Sequence, residues 1–253
     1  MKSRQEIKKQ AKQMVAKDNL WLALGLPCLV LVLVDLAFAF NESTIGVSSA
    51  ISGLTLLYEL CASLYVFDIL TKQQSVGKQL GRKISDMFGS LTAHTFKTGL
   101  LVGFMIGLWF FLPYVVGIGL IIAAVVSNNF GLLFLFGLAL LLFSGFIGLV
   151  KTYDYSLAIY LAKTNEELGL FAILKESKQK MKGYKWTLFV QNLSFFWWGL
   201  GVFATGGLLG LYVTPYVLAA NTIFATEVMG IQPTDKSEKG LEIFFKIKRW
   251  RRT

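Results

Sequence analysis

The sequence is poor in charge and in the residues from which catalytic centres are built. Only 16% of its 253 residues are charged, against about 25% in an ordinary soluble domain. A single histidine, His94, leaves no His-rich metal site. Two cysteines, Cys28 and Cys61, lie in apolar stretches without CxxC spacing. That excludes a disulfide framework and leaves them as small buried hydrophobes. There is no G-x-S-x-G elbow, no HExxH pair and no Walker loop. The chain therefore reads as a non-enzyme, with no cofactor and no metal expected.

What is abundant is apolar. Hydrophobic residues make up 55% and aromatics 14%, with 24 glycines. A spanning helix needs about 20 mostly apolar residues. Six stretches qualify: Leu20–Phe40, Ile45–Leu70, Thr95–Ala123, Phe130–Tyr153 (running on towards Ala162), Trp186–Ala204 and Gly206–Met229. The expected fold class is all-α, a polytopic transmembrane bundle of six spans with basic amphipathic interfacial helices on the cytoplasmic side. The first apolar run follows a basic front, and Ala37-Phe38-Ala39 resembles a cleavage site. Its length and Asp35 argue for an uncleaved span instead.

Orientation follows from the cations. All 25 Lys and Arg fall in four segments: the N-terminal one (Lys2 to Lys17), the region from Lys72 to Lys97, the region from Lys151 to Lys185, and the tail from Lys236 to Arg252. The connections Asn41–Thr44, Ser127–Asn129 and Gly206–Gly210 have none. Positive charge resists translocation, so cation-rich segments stay inside. Six spans then place both termini in the cytoplasm of a cell-membrane protein. The net charge of +10 is accounted for by anionic lipid beside these segments rather than by nucleic acid. The cation-free connections are too short to hold an external domain.

Residues 1–253 read as one membrane domain, with three units at 1–70, 75–162 and 164–229, each a surface helix plus a hairpin, and a basic cytoplasmic tail at 230–253. The first surface helix has an apolar stripe of Ile7, Ala11, Met14 and Val15 behind the capping box Ser3-x-x-Glu6. The second has Ile84, Met87, Phe88 and Leu91. The third has Leu168, Phe171, Ala172 and Leu174, with Thr164-x-x-Glu167 to cap it and Gly183 to end it. Such helices are expected to lie apolar side down on the inner membrane surface. The tail Leu241–Thr253 mixes aromatics with cations and suits an interfacial anchor.

Polar groups inside spans are costly and mark candidate sites. The candidate intramembrane polar site is Glu59, Gln191, Asn192 and Asn221. Structural helix pairing and a polar transport cavity are both open to it. Asp35 and Asp68 stand nearer span ends, where solvation is expected. Asp154 follows Lys151 by three residues, the spacing of a same-face pair, and Glu227 is close to an inner span end. His94 is expected at the interface. Gly99, Gly103 and Gly107 form GxxxGxxxG, a surface that lets another helix approach. Pro113 and Pro215 are positioned to kink spans, and Trp21 and Trp186 to anchor inner membrane edges.

The stretch Ser177-Lys-Gln-Lys-Met-Lys-Gly-Tyr-Lys-Trp-Thr-Leu-Phe189, with Leu193-Ser-Phe195, Trp198 and Pro215-Tyr216, resembles the bacterial membrane family catalogued as domain of unknown function 975. Lys12 and Lys17-Asp-Asn-Leu-Trp21 are similar to that family too. The chain departs from the family at Ser144-Gly-Phe-Ile-Gly148, where Pro-Gly is common before the Tyr-Ser that matches Tyr155-Ser156. It departs again at Phe224-Ala225, where Phe-Tyr is common. The resemblance implies a multi-pass membrane protein, mostly of Gram-positive bacteria, and brings no catalytic residues. The functional expectation is a scaffold or accessory protein of other membrane components, with the bilayer and a membrane-protein partner as contacts. The alternative is a small-solute or ion transporter around Glu59.

Overall fold

The computed structural model describes residues 2–16, 19–39, 45–72, 80–128 and 131–231. The tail anchor, the Asn41–Thr44 connection, Lys78 and Asn129 lie outside them. The described residues form eleven helices and no strand: α1 Arg4–Ala16, α2 Leu20–Ala39, α3 Ile45–Lys72, α4 Leu80–Gly89, α5 Ala93–Val126, α6 Leu132–Asp154, α7 Ala158–Thr164, α8 Leu170–Lys180, α9 Lys185–Leu193, α10 Phe196–Ala204 and α11 Gly210–Met229. They group into two compact units, Met1–Thr92 with Thr187–Thr253, and Ala93–Trp186.

Four stretches are long and apolar enough to cross a membrane: Gly46–Thr71, Ala93–Val126, Leu132–Thr164 and Lys185–Ala204. A fifth is reached if α1 and α2, bent by 85° at their junction, count as one. The sixth expected span, α11, falls short because Thr214, Asn221, Thr222, Thr226 and Glu227 dilute it. It is also the most enclosed helix, burying Val213, Pro215, Tyr216, Ala219, Ala220, Ile223, Phe224 and Ala225 among others. A helix wrapped by its neighbours does not need an apolar surface all round.

In the first unit, α11 packs on α1, α2, α3 and α10, and α3 on α2 and α4. The box at the start of α1 is formed: the Ser3 amide donates to Glu6 Oε2 at 2.7 Å, and the Glu6 amide donates to Ser3 Oγ at 3.3 Å. Its stripe is the one read from the sequence, since Ile7, Ala11, Met14 and Val15 are all buried. The surroundings differ from expectation. The stripe is covered by protein, chiefly α11, and not laid on lipid. Burying each large aliphatic side chain is worth about 1.5–3 kcal/mol, so the helix is committed to the protein. On α4 only Met87 of the expected stripe is fully buried, joined by Lys83, while Phe88 is 50% exposed.

In the second unit, α5 pairs with α6, and α7 and α8 close on their ends. The expected stripe of α8 is rotated: Ile173, Leu174 and Ser177 are buried, and Phe171 is 69% exposed. Thr164 does not cap α8. Its hydroxyl donates back to Tyr160 O and Leu161 O at the end of α7, and α8 begins after Gly169. Gly183 takes φ +92° in the turn leading to α9, a left-handed value that suits glycine.

Prolines and glycines fix where helices touch. Proline removes the donor for the carbonyl four residues back, and neighbouring helices can re-satisfy that region. Beside Pro27, Tyr58 Oη donates to Leu24 O at 2.7 Å and lies 3.5 Å from Ala23 O. Beside Pro113, Ser144 Oγ donates to Phe110 O at 2.6 Å. Pro215 frees Leu211 O, and a Cβ at residue 25 would lie 1.9 Å from that oxygen, so only glycine fits at Gly25. The α5–α6 seam is equally tight, because a Cβ on Gly137 would lie 2.9 Å from Gly117 O. By contrast Gly103 and Gly107 have nothing within 4 Å. The internal seam thus runs through Gly117, Gly137 and Gly148, and Gly103 and Gly107 lie off it.

Candidate intramembrane polar site

The four candidate residues separate into two places, both in the first unit. Gln191 on α9 is fully buried, and its Nε2 donates to Ala220 O at 3.3 Å and to Asn221 Oδ1 at 3.2 Å on α11. Ser194 Oγ donates to Gln191 O. Gln191 Oε1 and Asn192 Oδ1 are buried without a hydrogen-bond partner among the described residues. The amides tie α9 to α11, a contact worth about 0.6 kcal/mol on average in a membrane bundle. Glu59 lies apart from them, exposed at the middle of α3. Cys28 on α2 is within electrostatic reach of it.

The remaining carboxyls are placed more definitely than their sequence positions suggested. Asp35 accepts hydrogen bonds from Ser48 Oγ at 2.6 Å and Ser52 Oγ at 3.1 Å, both on α3, which ties α2 to α3 near their connected ends. Asp68 is only 4% exposed, not solvated as expected, because α4 covers that end of α3 and buries Lys83 and Ser90 as well. Ser90 Oγ donates to Met87 O at 2.6 Å and reaches Cys61 O at 3.2 Å. Asp154 is buried and pairs with Lys185, not with Lys151, and its carbonyl accepts from Ser177 Oγ at 2.8 Å. Lys151 instead stacks its ammonium 4.4 Å from the centre of the Trp109 ring. Residues three apart diverge by about 60° around a helix, enough to send one to α5 and the other inward. Glu227 binds the N-terminal segment through the Lys2 ammonium at 3.3 Å and the Lys2 amide at 3.2 Å.

His94 is held at the base of α5 by two carbonyls, Ala162 O at 3.2 Å from Nδ1 and Leu168 O at 3.1 Å from Nε2. A neutral imidazole has one N–H, so both bonds are donated only by the protonated ring. This junction, Tyr58 on Leu24 O and the Gly25–Leu211 contact were missed in the sequence. Pro27 was the available signal for Tyr58, since a mid-span proline demands a donor from elsewhere. Among the described residues no three His, Cys, Asp or Glu gather as a metal site.

Comparison with the curated proteins and with the solved structures gives no match. Residues 1–231, nearly the whole chain and all eleven helices, match a family of proteins of unknown function, DUF975. The all-helical fold, the apolar spans and this match agree: the chain belongs to the DUF975 family.

Proposed function

We propose that the chain is a non-enzymatic protein of the cell membrane that scaffolds or assists other membrane components. The observation that carries this reading is the bareness of the α5/α6 hairpin. Its two spans, Ala93–Val126 and Leu132–Thr164, bury only 11% of their most apolar windows, against 50% for the span of α3. The two helices meet along a narrow glycine seam and leave broad apolar flanks. On one flank the notch at Gly103 and Gly107 is open, the kind of surface another helix packs against closely. The absence of catalytic signatures in the sequence supports the same reading. So does the alternation of cation-rich and cation-free connections, which fits six crossings, both ends in the cytoplasm and a basic inner face on anionic lipid.

A photo-crosslinking residue at Leu100 or Phe104, on the open flank, tests it in native membranes. Discrete protein adducts that disappear in Gly103→Leu/Gly107→Leu are expected. Adducts to lipid alone, together with a protein that purifies without a stoichiometric partner, would sink the scaffold reading.

A second reading, movement of a proton or small cation, is favoured by one observation: Glu59 stands exposed halfway along an apolar span. Carboxyls at that depth are rare unless water, a proton or a partner reaches them.

A further inference from the structure

Glu59 does not stand alone on its helix face. Ser48, Ser52, Thr55 and Glu59 follow one another at i, i+4, i+7 and i+11 on α3, which puts them in one row. The row covers about 17 Å of helix at 1.5 Å per residue. It begins at the end of the α2/α3 hairpin that the charge distribution places outside and stops at the helix midpoint. None of the four is buried: Ser48 and Thr55 are partly exposed, Ser52 and Glu59 openly so. The packed side of α3 is elsewhere, at Ile51, Tyr58, Cys61 and Ala62. Asp35 of α2 stands at the outer end, accepting from the first two hydroxyls.

We propose that this row is a proton path from the outer surface to Glu59, with Asp35 at its mouth. The hydroxyls hold water along this face of a helix that is otherwise largely apolar. A hydronium passing inward gives one proton to the Glu59 carboxylate, leaving a neutral acid and one water, with no further reactant. Ionised, Glu59 faces a medium that strongly disfavours charge; protonated, it does not. The ionisable groups on the elements packed against α3 are Cys28 and Asp35 on α2, Tyr212, Tyr216 and Glu227 on α11, and Arg82, Lys83 and Asp86 on α4. Of these Cys28 is within reach of Glu59, and no cation among the described residues acts on it. A proton is therefore the charge-balancing partner the site accepts.

The inference rests on the second functional reading and names its site. The test uses the full chain in liposomes, with infrared difference spectra of the carboxyl C=O stretch taken as external pH is stepped at constant internal pH. A protonated-carboxyl band is expected to grow as external pH falls, to vanish in Glu59→Gln and to persist, displaced, in Glu59→Asp. Ser52→Ala with Thr55→Val is expected to slow its growth about tenfold, the effect of losing roughly one hydrogen bond to water. A band that ignores pH, or that survives Glu59→Gln, overturns the proposal. So does a band that responds to sodium at constant pH, which would make the ligand a metal cation. Proton uptake at Glu59 without net flux into the liposomes supports the site while removing the transport reading.

Discussion

Tyr58 and Ser144 do the same work on different hairpins. Each hydroxyl reaches across to a carbonyl three residues before a proline, Leu24 for Pro27 and Phe110 for Pro113. In an apolar surround an unmet carbonyl is expensive. Tyr58→Phe is expected to lower stability by about 0.5–1.5 kcal/mol, the net worth of one hydrogen bond, read as a fall in the thermal midpoint of the full chain in detergent. An unchanged midpoint would mean the carbonyl is met by something else. Gly25 is stricter, because its neighbour is backbone and not a side chain that can turn away. Gly25→Ala would set a methyl 1.9 Å from Leu211 O, so α2 and α11 must separate. A loss of about 1–3 kcal/mol or more is expected, against little change for Gly53→Ala, where the space is open. At this scale the sequence was only partly legible. A proline announces a turn with a missing donor, but which hydroxyl reaches that turn depends on which helices are neighbours. Asp154 shows the same limit, since its partner Lys185 is 31 positions away and competed unseen with the nearer Lys151.

Among the elements, the spans were the most legible part, because apolar length is a local property. The helices α2, α3, α5 and α6 begin and end within a few residues of the stretches expected. What covers an amphipathic helix is not local. The stripe of α1 was read residue for residue, yet α11 covers it instead of lipid. On α8, Phe171 and Ala172 were counted into a stripe that the fold centres on Ile173 and Leu174, because the helix starts after Gly169 and not at Thr164. Glycine spacing misled for a related reason. GxxxGxxxG at Gly99, Gly103 and Gly107 is the more regular pattern, but the seam uses Gly117 against Gly137. Gly137→Leu is therefore expected to split the α5/α6 pair, and Gly103→Leu to leave it intact. Cysteine crosslinking between positions 120 and 134 on the two helices, measured in each variant, separates these outcomes. Equal loss in both would contradict the assignment of the seam.

For the whole molecule, the reading of function depends on which surfaces meet water, lipid and other proteins. On the proposed six crossings, α1, α4 and α8 would lie inside, the bare flank of α5 in the membrane, and the Asp35 end of the Glu59 row outside. Hydropathy marks four or five crossings, and the proposal of six rests on the cation pattern. The candidate site was legible only as a set of residue types. Gln191 and Asn221 met as helix glue, while Glu59 kept company with hydroxyls on its own helix that had drawn no notice, because serine and threonine are ordinary in membrane helices. The most direct measurement is labelling of single-cysteine variants with a membrane-impermeant maleimide in intact and permeabilised cells, the two native cysteines being buried. Labelling of Ser127→Cys and Thr205→Cys in intact cells, with Ser3→Cys, Ser85→Cys and Gln179→Cys labelled only after permeabilisation, is the result predicted by six crossings. Protection of Thr205→Cys in intact cells, or labelling of Gln179→Cys there, would contradict it.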